Sequence, residues 1–191
     1  MNIESDIQLL KKCFLKIDHK AEMLNINTLK EAHVYCKKNQ LSGQVSGLLI
    51  EFFLEKKYNM TKIHTSKCSG DLHYNGINLE VKMSLGGKNN NKFNFVQLRL
   101  NHNCEYLFTA YYLNEKNINN LGELFIFKLS KDDLRKIIME YGHYAHGIKN
   151  KHGKITIDDL NNHENNKEYA LRPRYGDACW NTLLNFRIYE I

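Results

Sequence analysis

The chain has 191 residues, 42% hydrophobic and 11% aromatic, enough apolar material for one domain with its own core and too much for a disordered chain. Its 27 Lys and Arg against 21 Asp and Glu give a net charge of +6 with histidine neutral, an excess compatible with a polyanionic partner. No apolar run reaches the roughly 20 residues of a membrane span, and Met1 to Asp6 lacks a basic stretch leading into an apolar one, so neither a span nor a secretory leader is expected. The cysteines (Cys13, Cys36, Cys68, Cys104, Cys179) are odd in number, scattered and without a CxxC pair. They signal neither a disulfide framework nor a cysteine zinc site, and point to a reducing, cytoplasmic compartment.

In chain order, Ile7, Leu10, Phe14 and Ile17 recur at helical spacing, and Leu29, Ala32, His33 and Cys36 do so again after Asn27-Thr28 as a cap. A third helix is expected over Gly47 to Lys56, capped by Ser42 or Ser46, apolar nearly all round and therefore buried, with Glu51 in its middle. From Thr65 the period changes to two, and strands are expected at Lys67 to Tyr74, Ile77 to Ser84, Phe95 to Leu100, Tyr106 to Leu113 and Leu121 to Leu129. Ser130 then caps a helix to about Tyr141. The tail reads as a Gly/His/Lys loop from Gly142 to Lys154, a short Ile155-Thr156-Ile157 strand, an Asn-rich link and an amphipathic stretch from Asp177 to Phe186. The pattern predicts one α/β domain over 1–191: a central mixed sheet flanked by helices, with a helical part at 1–41, a core at 42–141 and a C-terminal part at 142–191.

The informative segment is Ser69 to Lys82, because Asn75-Gly76 between two alternating runs is the strongest short hairpin signal. A two-residue turn there pairs Tyr74 with Ile77, His73 with Asn78 and Leu72 with Leu79, and sets Asp71 directly opposite Glu80 on one face. Lys82 projects from that same face, while Ile77, Leu79, Val81 and Met83 enter the core. Two opposed carboxylates need a compensating cation, and oxygen-only ligation by Asp71 and Glu80 suits a hard ion such as Mg²⁺. Lys82 beside them is placed to hold or deprotonate an attacking water and to balance charge on a phosphate. The competing reading is an exposed Glu80-x-Lys82 ion pair beside a turn-forming Asp71.

Asp71 followed by Glu80-Val81-Lys82 on the next strand, with an acid on a buried helix upstream, resembles the PD-(D/E)XK nuclease superfamily, to which most Type II restriction endonucleases belong. The resemblance covers Ser46 to about Leu113, and Leu121 to Tyr141 fits the strand and helix that usually follow. It implies that Asp71 and Glu80 ligate Mg²⁺, that Val81 lends its carbonyl, that Lys82 is the catalytic lysine and that Glu51 completes the metal environment. Gly70 stands where such motifs usually carry proline. Glu51 has a second reading, as the partner of a nearby lysine.

Downstream, Leu85 to Asn94 holds a glycine hinge followed by Lys88, Asn89, Asn90, Asn91 and Lys92, suited to following a phosphate backbone or reading adenine, or simply a polar connection. Gln97 and Arg99 alternate on the next strand and support the site or touch a phosphate; His102 and Asn103 are weaker candidates. His143, His146, Lys149 and Lys151, and later Arg172 and Arg174, read as nucleic-acid-contacting loops or as solvated and ion-paired surface. The function expected is a Mg²⁺-dependent, sequence-specific endonuclease of double-stranded DNA, a homodimer if its sites are palindromic. Alternatives are a structure-specific or repair nuclease resembling a junction resolvase, a non-catalytic DNA-binding module, and a plain interaction domain.

Overall fold

The computed structural model of the protein describes residues 18–64, 69–87, 91–114, 122–145, 155–161 and 168–191. The helix expected around Ile7 to Ile17 lies outside these residues, as do Lys88, Asn89, Asn90, His146, Lys149 and Lys151. Among the described residues no helix is long and apolar enough to cross a membrane.

Three helices come first: α1 (His19–Asn25), α2 (Leu29–Lys38) and α3 (Gly43–Lys57). Thr28 caps α2 through a reciprocal box in which its hydroxyl accepts the Glu31 amide and Glu31 accepts the Thr28 amide. Leu29, Ala32, His33 and Cys36 form its buried face as expected. Ser42, rather than Ser46, caps α3 by accepting the Val45 amide at 3.3 Å. The helix is not buried all round. Val45 and Leu48 are 39% and 53% exposed, because only the stripe of Leu49, Ile50, Phe53 and Leu54 meets the sheet and the other helices.

The main sheet has six strands in the order β1-β2-β3-β5-β6-β9: β1 (Thr61–Lys62), β2 (Leu72–Tyr74), β3 (Ile77–Ser84), β5 (Glu105–Tyr112), β6 (Glu123–Leu129) and β9 (Arg187–Ile188). β3 and β5 are parallel and the other neighbours antiparallel, so the sheet is mixed and flanked by helices. A smaller antiparallel sheet, in the order β4-β8-β7, is formed by β4 (Phe95–Leu98), β8 (Tyr169–Leu171) and β7 (His143–Tyr144). β1, β7, β8 and β9 are too short to carry a readable alternation. The predicted 95–100 strand ends at Leu98, before a turn at 100–101.

Alternation along the central strands sends their side chains to two cores. Leu79, Val81, Leu107 and Ile126 pack with α1–α3. Tyr106, Phe108, Phe125 and Phe127 face the other way, onto β4, β8, α4 (Lys131–Tyr141) and α6 (Ala178–Leu184). Trp180 of α6 is the hub there, stacked on Phe93 at 4.6 Å and edge-on to Phe125 at 4.8 Å. The expected Ile155-Thr156-Ile157 strand is instead the entry to α5 (Ile157–Asn161). Thr156 and Asp159 exchange bonds, Thr156 N–H to Asp159 Oδ2 at 3.0 Å and Asp159 N–H to Thr156 Oγ1 at 3.3 Å, a capping box that overrides the β-branched run.

Candidate functional site

The hairpin follows its sequence. Asn75 and Gly76 both take positive φ (49° and 81°), as a two-residue primed turn requires, and Leu72 pairs with Leu79, His73 with Asn78 and Tyr74 with Ile77. The strict opposition of Asp71 and Glu80 does not follow. Gly70, at φ 90°, turns the chain, and the Asp71 N–H donates back to the Leu79 carbonyl at 2.8 Å, so regular pairing stops at Leu72. A Cβ at position 70 would lie 2.7 Å from the Leu79 carbonyl oxygen. Only glycine allows this approach, which is a physical reason for the residue that stands before Asp71. The Asp71 side chain then turns onto β3, where Oδ2 accepts the Val81 N–H at 2.9 Å.

Glu80 and Lys82 share the face of β3 opposite the apolar Leu79 and Val81. Glu80 is 3% exposed, and each of its oxygens has a partner: Oε1 accepts from Lys82 Nζ at 2.7 Å and Oε2 lies 3.2 Å from His102 Nδ1. His102 arrives through topology. Parallel pairing sets Glu105 beside Leu79 and Tyr106 beside Glu80, so the turn leading into β5 lies against Glu80 and delivers His102 and Cys104. The Tyr106 hydroxyl pins that turn by donating to the Arg99 carbonyl at 2.7 Å. Donor atoms of Glu80, His102 and Cys104 all lie within 4.8 Å of one another.

Glu51 comes from α3 into the same cleft, a cavity of about 210 Å³ lined also by Lys62, Asp71, Glu80, Arg99 and His102. Burial, and then the negative charge of Asp71, push the Glu51 carboxyl up to about 7, against the pull of Lys62 and Lys82. Lys62 Nζ stands 3.8 Å from Glu51 Oε2, so the lysine pairing expected as a second reading is present, but loose and half in solvent. Burial, and then Glu80, also raise Asp71 above the ordinary carboxylate range, opposed by the Val81 amide and Lys82. Burial followed by the charge of Glu80 lifts the Cys104 thiol to about 12. The cleft thus concentrates three carboxyl groups, two of which, Glu51 and Asp71, are raised by burial and by neighbouring acids above their ordinary range. A larger groove of about 540 Å³ beside α2 is lined by Val34, Lys37, Tyr111 and Leu113, but the acid on it, Glu31, is committed to its cap.

The other predicted residues fall in two places. Arg99 lines the cleft, yet its guanidinium is held by Glu168, with Nε and Nη2 donating to Oε1 at 2.9 and 2.6 Å. Asn91, Lys92 and Arg174 are exposed and meet on one ribbon: Tyr175 N–H donates to the Asn91 carbonyl at 2.8 Å, Phe93 N–H to the Pro173 carbonyl at 2.9 Å, and Lys92 bridges Arg174. The two segments singled out separately in the sequence therefore form one structure. Arg172 and His143 line a shallow cleft beside α4 and α6, apart from the carboxylates. His102 and Cys104 are the site residues that sequence reasoning weighted least, since only the parallel pairing of β3 and β5 brings them to Glu80.

Compared with protein-family models, with curated protein sequences and with solved structures, the chain shows no significant match.

Proposed function

We propose that the chain is a Mg²⁺-dependent endonuclease of double-stranded DNA, sequence-specific in the manner of a Type II restriction enzyme, acting in the cytoplasm and as a homodimer on palindromic sites. The observation that carries this reading is the meeting of Asp71, Glu80 and Glu51 at one cleft, with Lys82 paired to Glu80 and the carboxyl groups of Glu51 and Asp71 both held above their ordinary range. Oxygen donors short of positive charge fit a hard divalent ion. Asp71, Glu80 and the Val81 carbonyl would hold it; a strand residue's carbonyl points to the same edge as its N–H, and the Val81 N–H already faces Asp71. Bound there, Mg²⁺ supplies Lewis-acid polarisation of a phosphate and a more acidic water.

The protein's own residues do the rest. Glu80 holds Lys82 Nζ at 2.7 Å, which fixes the ammonium at the cleft, where it orients a water and offsets charge building on the phosphate oxygens. Glu51, from α3, adds a third carboxyl group to the cleft and would complete the metal's surroundings. His102 restrains the second oxygen of Glu80. The ribbon of Asn91, Lys92 and Arg174 offers cations to the DNA backbone, which position the duplex without reading it. Cleavage of duplex DNA by the wild type in Mg²⁺, and its loss in Lys82→Ala, is the test; equal cleavage by both overturns the assignment.

A further inference from the structure

Glu80, His102 and Cys104 bring an oxygen, a nitrogen and a sulfur donor together, all within 4.8 Å of one another. The carboxylate suits hard and borderline ions alike, but imidazole and thiolate select zinc-class transition metals. Bond lengths of about 2.0–2.3 Å at tetrahedral angles require donors about 3.3–3.6 Å apart. His102 Nδ1 and Glu80 Oε2 already stand 3.2 Å apart. Cys104, a half-buried residue that ends a turn, has its sulfur within 4.8 Å of the other two donors and needs to approach by no more than about 1.3 Å. The backbone is set for this, because the Glu80–Tyr106 register and the Tyr106–Arg99 bond fix the turn against β3. Glu80 and His102 both line the cleft.

We propose that Glu80, His102 and Cys104 form a binding site for a zinc-class transition-metal ion, distinct in donor chemistry from the oxygen-only set of Asp71, Glu80 and the Val81 carbonyl. On binding, the metal–sulfur bond forms as the Cys104 thiol releases its proton to solvent, and the metal–nitrogen bond forms as the ring proton that His102 Nδ1 holds toward Glu80 relocates to Nε2, with no change of oxidation state. The site requires binding alone and does not depend on the hydrolytic reading.

The test is an anaerobic titration of the full chain with Co²⁺, followed by the thiolate-to-metal charge-transfer absorption, together with X-ray absorption on the Co²⁺-loaded wild type. The expected result is one saturable site with a single sulfur and at least one imidazole nitrogen. The charge-transfer band disappears in Cys104→Ser, Co²⁺ affinity falls about 10–100-fold in His102→Gln, and the band persists in Asp71→Asn. A wild-type site without sulfur, or a band unaltered in Cys104→Ser, overturns the proposal; the absorption measurement decides even if a variant fails to fold. Sulfur ligation in a protein that cleaves no DNA overturns the nuclease reading and leaves this site standing. Mg²⁺-dependent cleavage by a protein without sulfur ligation does the reverse.

Discussion

The backbone N–H of Val81 donates to Asp71 Oδ2 at 2.9 Å, so the amide next to Glu80 on β3 holds the carboxylate of the preceding strand. One strand therefore supplies Glu80 to the cleft, pairs it with Lys82 and orients Asp71. The arrangement depends on Gly70, whose φ of 90° and close approach to Leu79 bring Asp71 round. Gly70→Ala is expected to lose about 1–3 kcal/mol of stability, measurable by urea denaturation, and to lose DNA cleavage out of proportion to that change. A variant of wild-type stability and activity would show that the turn at Gly70 does not position Asp71.

Glu51 makes stability depend on pH. Its carboxyl ionises near 4.5 when unfolded and near 7 when folded, so between these values the native state binds more protons than the unfolded one. Stability accordingly falls as pH rises from 4.5 to 7. With EDTA present, the wild type should lose on the order of 2–3 kcal/mol more than Glu51→Gln across that window. Parallel pH profiles for the two proteins would show that Glu51 is not the group responsible.

A second buried titratable residue has a structural role. His33 is fully buried, with Nδ1 2.8 Å from the Leu29 carbonyl and Nε2 2.9 Å from Thr109 Oγ1. The carbonyl only accepts, so Nδ1 carries the proton and Nε2 accepts from the Thr109 hydroxyl. Burial lowers its pKa to about 4, which keeps the ring neutral and ties α2 to the central strand β5. Thr109→Val leaves a buried nitrogen unpaired and is expected to cost about 1–3 kcal/mol. It should leave cleavage per folded molecule unchanged, as read by thermal unfolding alongside a digestion assay.

Lys92 and Arg174 are exposed on one ribbon, and the proposed function has them meet the DNA backbone rather than bases. Each alanine variant is then expected to weaken binding about equally on all duplexes and to lower the slope of log affinity against log salt by about 1. Fluorescence anisotropy at several salt concentrations measures this; an unchanged slope in both variants would remove the ribbon from the DNA-binding face.

Local chemistry was legible in the sequence and long-range chemistry was not. Asn75-Gly76 announces the hairpin, and the period-two run to Ser84 gives β3 to the residue, because both signals lie within a few neighbours. Ser130 likewise announces the cap of α4. The bulge at Asp71 was hidden, since it depends on Gly70 meeting a carbonyl across the strand. His102 and Cys104 were harder still: nothing near them reports that β5 runs parallel to β3 and brings their turn to Glu80. The signal available was the His102-x-Cys104 spacing just ahead of a buried strand. Of the small sheet only β4 was legible, in the run from Phe95; β8 and β7, of three and two residues and far away in sequence, fall below the length at which alternation can be read.

The proposed hydrolysis of DNA rests on Asp71 and Glu80 at the cleft and on Lys82 paired with Glu80. The most direct measurement is to incubate the wild type and Lys82→Ala with a large unmethylated phage DNA, in Mg²⁺ or in EDTA, and to separate the products on a gel. Discrete fragments from the wild type in Mg²⁺, none in EDTA and at least about 100-fold less cleavage by Lys82→Ala are the predicted result. Fragments of equal yield from Lys82→Ala, or intact DNA under every condition, would contradict it.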